Sequence, residues 1–95
     1  MKPSKAFARA LAMFNGSPTA MAAEIGGKVQ RQHIEYWRAN GVPRDQRPHV
    51  ERVTNGTVTC EDLTDGDAEW LRVADSEWPW HPDGRPYLDV SKVAA

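Results

Sequence analysis

The chain has 95 residues, which is the size of one domain, and its 40% hydrophobic and 26% charged residues are typical of a globular protein. It contains no apolar run near the roughly 20 residues of a membrane-spanning helix, and residues 1–16 lack the apolar stretch of a signal peptide. Its single cysteine, Cys60, cannot form an internal disulfide. We therefore expect a cytoplasmic protein without a membrane partner.

Charge is distributed unevenly along the chain. Residues 1–53 contain nine basic and four acidic residues, whereas residues 54–95 contain three basic and nine acidic residues, and the net charge is −1. A basic half favours contact with a polyanion, and the acidic half does not.

Two helices are predicted before residue 26. Ser4 is a suitable N-cap for the first helix, and Asn15-Gly16 is a suitable end for it. Ser17 is predicted to cap the second helix, with Pro18 in the first turn, where its missing N–H costs little. Gly26-Gly27 should end this second helix.

A third helix is predicted from about Gln30 to Arg38, with Ile34 and Trp37 one turn apart on its inner face. A fourth helical stretch should run from Val42-Pro43 to about Val53. Pro48 is expected to divide that stretch into a short turn and a helix that begins near the proline.

The last third of the chain has a different character. A final short helix is predicted at Val58–Leu63 with Thr59 as its cap, and beyond it only Ala68–Val73 has a helical pattern. We therefore predict an all-α bundle of about five short helices over residues 1–64, followed by an irregular acidic tail over residues 65–95.

The tail contains three tryptophans, Trp70, Trp78 and Trp80, although disordered tails are usually poor in aromatic residues. We expect at least one of the indoles to be buried. Three alternatives remain open for the Trp78–Pro82 segment: a lid on the same chain, an arm in a dimer, or a motif that binds another protein.

The predicted second and third helices, joined by a glycine-containing turn, have the layout of a DNA-binding helix-turn-helix. Side chains near the start of the second of these helices can reach base edges in the major groove, where Arg suits guanine and Gln suits adenine. The predicted base contacts are Gln30, Arg31, Gln32 and Glu35, and the predicted phosphate contacts are Thr19, Lys28, Tyr36, Arg38 and Arg44. The alternatives are an exposed Arg31–Glu35 ion pair, a half-buried Tyr36, and solvated charges at Lys28 and Arg44.

The stretch from Ala20 to Leu63 resembles the YdaS-type, Cro-like prophage repressors, which are often labelled antitoxins. The residues that carry the resemblance are Met21–Gly26, Ile34–Trp37, Gly41–Pro43, Val50–Thr59 and Asp62–Leu63. The resemblance implies a lambda-repressor-like bundle and operator binding. Three features depart from the family pattern: a longer turn at Gly27-Lys28, Asn55 in place of a glycine, and the sequence Leu63–Asp67.

No enzyme, cofactor or metal site is predicted. His33, His49, His81 and Cys60 do not have metal-ligand spacing, and no motif places a base beside Cys60. The leading hypothesis is a prophage-type transcription regulator that binds double-stranded operator DNA as a homodimer. The alternative is an antitoxin that neutralises a partner toxin through its tail and regulates its own promoter by binding DNA.

Overall fold

The computed structural model describes residues 4–89 and is mostly helical over this range. Its helices are α1 (Lys5–Ala12), α2 (Pro18–Ile25), α3 (Arg31–Asn40) and α4 (Arg47–Val53), with a short 3-10 turn at Arg44–Gln46 before α4. Two strands follow, β1 (Trp70–Val73) and β2 (Arg85–Leu88). None of the described helices is long and apolar enough to cross a membrane.

The predicted helix starts are confirmed by hydrogen bonds. The Ser4 hydroxyl accepts from the Phe7 backbone N–H at 3.1 Å, and the Ser17 hydroxyl accepts from the Ala20 N–H at 3.1 Å. Pro18 lies in the first turn of α2, as predicted. Pro48 likewise lies in the first turn of α4, directly after the 3-10 turn, so the predicted division of this segment is also confirmed.

The four helices enclose a small core together with the segment after α4. Phe7 of α1 packs edge-to-face against Trp37 of α3, with ring centroids 6.2 Å apart. Burying a large apolar side chain contributes about 1.5–3 kcal/mol. The buried apolar residues of this core are Ala6, Phe7, Ala10, Leu11, Met21, Ala22, Ile25, Ile34, Trp37, Val42, Val50, Val58 and Leu63.

The predicted fifth helix at Val58–Leu63 is wrong, because the described chain there forms only turns. Thr59 and Asp62 do cap one another, since each backbone N–H donates to the other's side chain at 3.1 Å. The turn does not continue into a helix. The Thr64 hydroxyl donates to the Cys60 carbonyl at 2.8 Å, and Gly66 takes a positive φ of 72° shortly afterwards.

The helical pattern predicted at Ala68–Val73 is also wrong, because Trp70–Val73 is strand β1. It pairs with β2 in an antiparallel ladder in which Leu71 lies opposite Tyr87. The residues of β1 alternate between half-buried and exposed, which is the two-residue period of a strand. The all-α class is therefore corrected to a mainly helical fold with a small antiparallel sheet.

Candidate nucleic-acid interface

The turn between α2 and α3 spans residues 26–30. The backbone conformation of its first residues and a hydrogen bond from α4 define its path. Gly26 and Gly27 both have positive φ values, 76° and 63°, which glycine adopts without a side-chain clash. The Arg52 guanidinium of α4 donates to the Ile25 carbonyl at 3.0 Å. Val29 packs against the core. Arg52 was not among the predicted site residues, yet its hydrogen bond ties the end of α2 to α4.

His33 caps the start of α3, a role that was not predicted from the sequence. The Gln30 backbone N–H donates to Nδ1 of His33 at 2.9 Å. The Gln32 side-chain amide also donates to the Gln30 side-chain oxygen at 2.7 Å. The three-residue spacing of Gln30 and His33 is that of a reciprocal N-cap. From this spacing the cap could have been predicted. These bonds hold Gln30 and Gln32 together at the exposed end of the helix.

The predicted base-contact residues lie on the solvent-exposed face of α3. Gln30, Arg31 and Gln32 are exposed and Glu35 is half-exposed. Arg31 and Glu35 form an ion pair at 3.4 Å in which both side chains remain largely accessible. Such a pair is worth only a few tenths of a kcal/mol, so Arg31 can exchange it for another partner at little cost.

Tyr36 is 56% exposed, so the structure places it in solvent rather than as a half-buried spacer. The other predicted phosphate-contact residues, Thr19, Lys28, Arg38 and Arg44, are all exposed as well. They come from α2, the turn, α3 and the 3-10 turn respectively. Within residues 4–89, no carboxylate forms a salt bridge with Lys28, Arg38 or Arg44.

Arg47 belongs to the basic half of the sequence but is withdrawn from the surface. Its guanidinium donates to the Val42 carbonyl at 2.9 Å and to both carboxylate oxygens of Asp67 at 3.1 and 2.7 Å. The hydrogen bonds from Arg47 lower the pKa of Asp67. Arg47 therefore holds the start of the tail against α4 and is not available to a polyanion.

A buried ion pair joins the hairpin to α4. Glu51 is fully buried, and its carboxylate accepts from Arg72 of β1 at 2.8 and 2.5 Å. It also accepts from Trp78 Nε1 at 2.8 Å and from the Cys60 N–H at 3.1 Å. Burial by itself raises the pKa of Glu51, but these hydrogen bonds outweigh it and the pKa is lowered. Arg72 also pairs with Glu61 at 2.6 Å.

The tail tryptophans lie against the same chain. Trp78 is buried and packs edge-to-face on Trp80, with centroids 4.7 Å apart. Trp70 is half-buried and donates through Nε1 to the Thr64 hydroxyl at 2.8 Å. The backbone of Trp80 approaches Gly56 so closely that a Cβ there would lie 1.8 Å from the Trp80 carbonyl oxygen. The described part of the tail therefore docks on the region after α4.

Cys60 is fully buried, and its backbone N–H donates to the Glu51 carboxylate. Burial, and next the nearby Glu51 carboxylate, raise the pKa of its thiol well above the ordinary value. Because the thiolate is the reactive form, the arrangement does not suit a nucleophile. Among residues 4–89, no group of three His, Cys, Asp or Glu side chains is placed to hold a metal ion.

Comparison with known proteins gives one family. A family model described as bacterial toxin YdaS matches residues 7–72. The match begins in α1 and ends in β1, so it includes the α2–turn–α3 unit and Arg72, whereas Trp78, Trp80 and β2 lie beyond it. Searches of curated proteins and of solved structures found no match. Since the matched range covers more than half of the chain, the protein belongs to the family of bacterial toxin YdaS.

Proposed function

We propose that the protein is a DNA-binding transcription regulator that uses α3 as its recognition helix. The observation that supports the proposal is that α3 has one face buried in the core and one face exposed to solvent. Ile34 and Trp37 are buried, whereas Gln30, Arg31 and Gln32 are exposed at the N-terminal end. A helix of this kind fits the major groove, where Arg can donate two hydrogen bonds to guanine and Gln can pair with adenine.

Residues around α3 supply the predicted contacts with the DNA backbone. Thr19 lies in the first turn of α2, where its hydroxyl suits a phosphate oxygen. Lys28, Arg38 and Arg44 have no ion-pair partner among the described residues, so a phosphate would meet an uncompensated charge. The exposed hydroxyl of Tyr36 adds a further donor.

The regulatory mechanism that follows is steric. Helix-turn-helix proteins commonly bind two half-sites about one helical turn apart as a homodimer. Occupation of such an operator within a promoter blocks access of the polymerase. The protein would then act as a Cro-like repressor without a cofactor and without catalysis.

Salt dependence of binding to duplex DNA tests the proposal. Because Lys and Arg release counterions from phosphates, affinity should fall about a hundredfold or more between low and moderately high salt. Arg44→Ala should reduce the slope of log affinity against log salt by about one. Arg9→Ala, which removes an exposed arginine of α1 that pairs with Asp62, is the matched control and should leave the slope unchanged. A wild-type protein that binds no duplex at low salt contradicts the proposal.

The family description favours a second candidate, in which the chain is one member of a toxin–antitoxin pair. In this second candidate function, the chain is an antitoxin that neutralises a toxin and represses its own promoter. Growth assays separate the two members of such a pair. A toxin arrests growth when it is expressed alone, whereas an antitoxin restores growth only when it is expressed with its partner. A small protein that co-purifies with the chain would identify the partner.

A further inference from the structure

The hydrogen bond between Gln30 and His33 fixes the protonation state of the imidazole. His33 is exposed in the first turn of α3, and its Nδ1 accepts from the Gln30 backbone N–H at 2.9 Å. A neutral imidazole has one acceptor nitrogen and one donor nitrogen, so this bond places the proton on Nε2. In the imidazolium ion both nitrogens are donors and Nδ1 cannot accept. The cap of α3 therefore exists only while His33 is neutral.

The other helix starts in the described range do not depend on a histidine. The helices α1 and α2 are capped by the hydroxyls of Ser4 and Ser17, which carry no charge in either acid or neutral solution. The start of α4 has no side-chain cap hydrogen bond. At the position of His33, a reciprocal cap usually has Glu or Gln. Within residues 4–89, the histidine cap is thus confined to the helix that we propose as the recognition helix.

The same cap holds two of the predicted base contacts. Gln30 is the N-cap residue, with an extended backbone at φ −123° and ψ 168°, and its side-chain oxygen accepts from the Gln32 amide at 2.7 Å. The bonded pair still has the Gln30 amide N–H groups as donors and the Gln32 oxygen as an acceptor. A donor and an acceptor are what the N7 and N6 groups of adenine require in the major groove. The direction of the pair depends on the Gln30 backbone, which His33 holds.

We propose that neutral His33 is a positioning residue for sequence recognition, and that its protonation releases the Gln30–Gln32 pair. The proposal rests on the proposed function, because it requires α3 to lie in the major groove. Phosphate contacts from Thr19 and Arg44 come from other elements and do not depend on this cap. Protonation also adds a positive charge, which attracts phosphates. Acidification should therefore reduce discrimination between sequences without weakening binding to unrelated duplex DNA.

No described charged group forms a hydrogen bond or an ion pair with the His33 imidazole. Arg31 and Glu35 of the same helix pair with each other at 3.4 Å. The charged residues in the preceding turn and in the two helices that pack against α3 are Lys28, Glu24 of α2, and Lys5 and Arg9 of α1. The proposed pH dependence therefore comes from the loss of the Gln30 bond and not from the loss of a salt bridge.

The ratio of two affinities, measured against pH, tests the proposal. The full chain is titrated at constant salt with a genome-selected operator and with an unrelated duplex, between pH 8 and about pH 5.5, where histidine changes its charge. The ratio of operator affinity to unrelated-duplex affinity should fall roughly five- to tenfold in acid, which is the typical cost of a lost N-cap. Affinity for the unrelated duplex should stay the same or rise.

Three variants separate positioning from other effects of pH. His33→Gln retains an acceptor for the Gln30 N–H but cannot be protonated, so its affinity ratio should stay high at every pH. His33→Ala removes the acceptor, so its ratio should already be low at pH 8. His81→Gln is the matched control, because His81 Nδ1 accepts from the Asp83 backbone N–H at 3.0 Å in the tail. This control should follow the wild-type pH profile.

Nuclear magnetic resonance of the protein without DNA gives a second readout. The Gln30 amide proton should shift as the His33 ring is protonated, because it loses its acceptor. The Ala20 amide is the internal reference, because it donates to the Ser17 hydroxyl at 3.1 Å. In His33→Gln the Gln30 amide should no longer respond to pH in this range. A Gln30 amide that does not respond while the wild-type ring is protonated contradicts the cap.

The outcomes distinguish this proposal from the proposed function. A wild type that binds no duplex at any pH overturns both. Sequence-specific binding overturns the role of His33 alone if the affinity ratio does not change with pH, if His33→Gln loses discrimination in acid as the wild type does, or if His33→Ala discriminates as well as the wild type at pH 8.

Discussion

Replacing Arg72 by alanine should strongly destabilise the fold. The substitution removes five hydrogen bonds, two to Glu51, two to Glu61 and one to the Gly84 carbonyl. It also leaves the Glu51 carboxylate fully buried, and Trp78 Nε1 and the Cys60 N–H are then its only donors within residues 4–89. Removing one partner of a buried ion pair costs about 3–5 kcal/mol.

Thermal unfolding followed by circular dichroism measures this cost. In a domain of this size 1 kcal/mol corresponds to about 4–8 °C, so Arg72→Ala should lower Tm by about 12 °C or more. Arg9→Ala is the matched control, because its pair with Asp62 is 3.7 Å long and both side chains are exposed. That variant should change stability by less than about 1 kcal/mol. Equal losses in the two variants would refute the conclusion that the buried pair stabilises the docked hairpin.

Three further predictions follow from the docked tail. In denaturant titrations Gly56→Ala should destabilise the protein by clearly more than Gly66→Ala. Both glycines have positive φ, but of the two only Gly56 faces the Trp80 carbonyl. Equal losses of stability in the two variants would contradict this close approach. Because its folded pKa is lowered, Glu51 contributes stability that is present above the unfolded pKa of about 4.3 and is lost as pH falls through the folded value. The Tm of the wild type should therefore fall more steeply in acid than that of Glu51→Gln, and parallel curves would contradict the assignment. Cys60 should resist a thiol reagent in the native state and react on unfolding, whereas rapid native labelling would show that the thiol is accessible.

The helix starts were predictable because their determinants are local. Ser4 and Ser17 each bond an N–H three residues along the chain, so the pattern of a cap is visible in a short stretch of sequence. The polar face of α3 followed in the same way from the spacing of Ile34 and Trp37, both of which are buried. These features depend on helical geometry alone.

The hairpin was not predictable because its partners are distant in the chain. Trp70–Val73 pairs with Arg85–Leu88 across an irregular connection that contains Trp78, and Arg72 is neutralised by Glu51 of α4. Nothing within one turn of Arg72 indicates either partner. Arg47 was likewise counted only as one of the basic residues of the first half, although it binds Asp67 of the tail.

The central claim is that α3 reads DNA sequence, and the affinity of Arg31→Ala for a genome-selected operator tests it most directly. Wild type and variant are titrated against the operator and against duplexes that change one base pair at a time, with Arg44→Ala as the control for phosphate contacts. We predict that Arg31→Ala costs about 1–3 kcal/mol and removes discrimination at one base pair, whereas Arg44→Ala weakens binding to all duplexes alike. If Arg31→Ala binds every duplex as the wild type does, with discrimination intact, α3 is not the recognition helix.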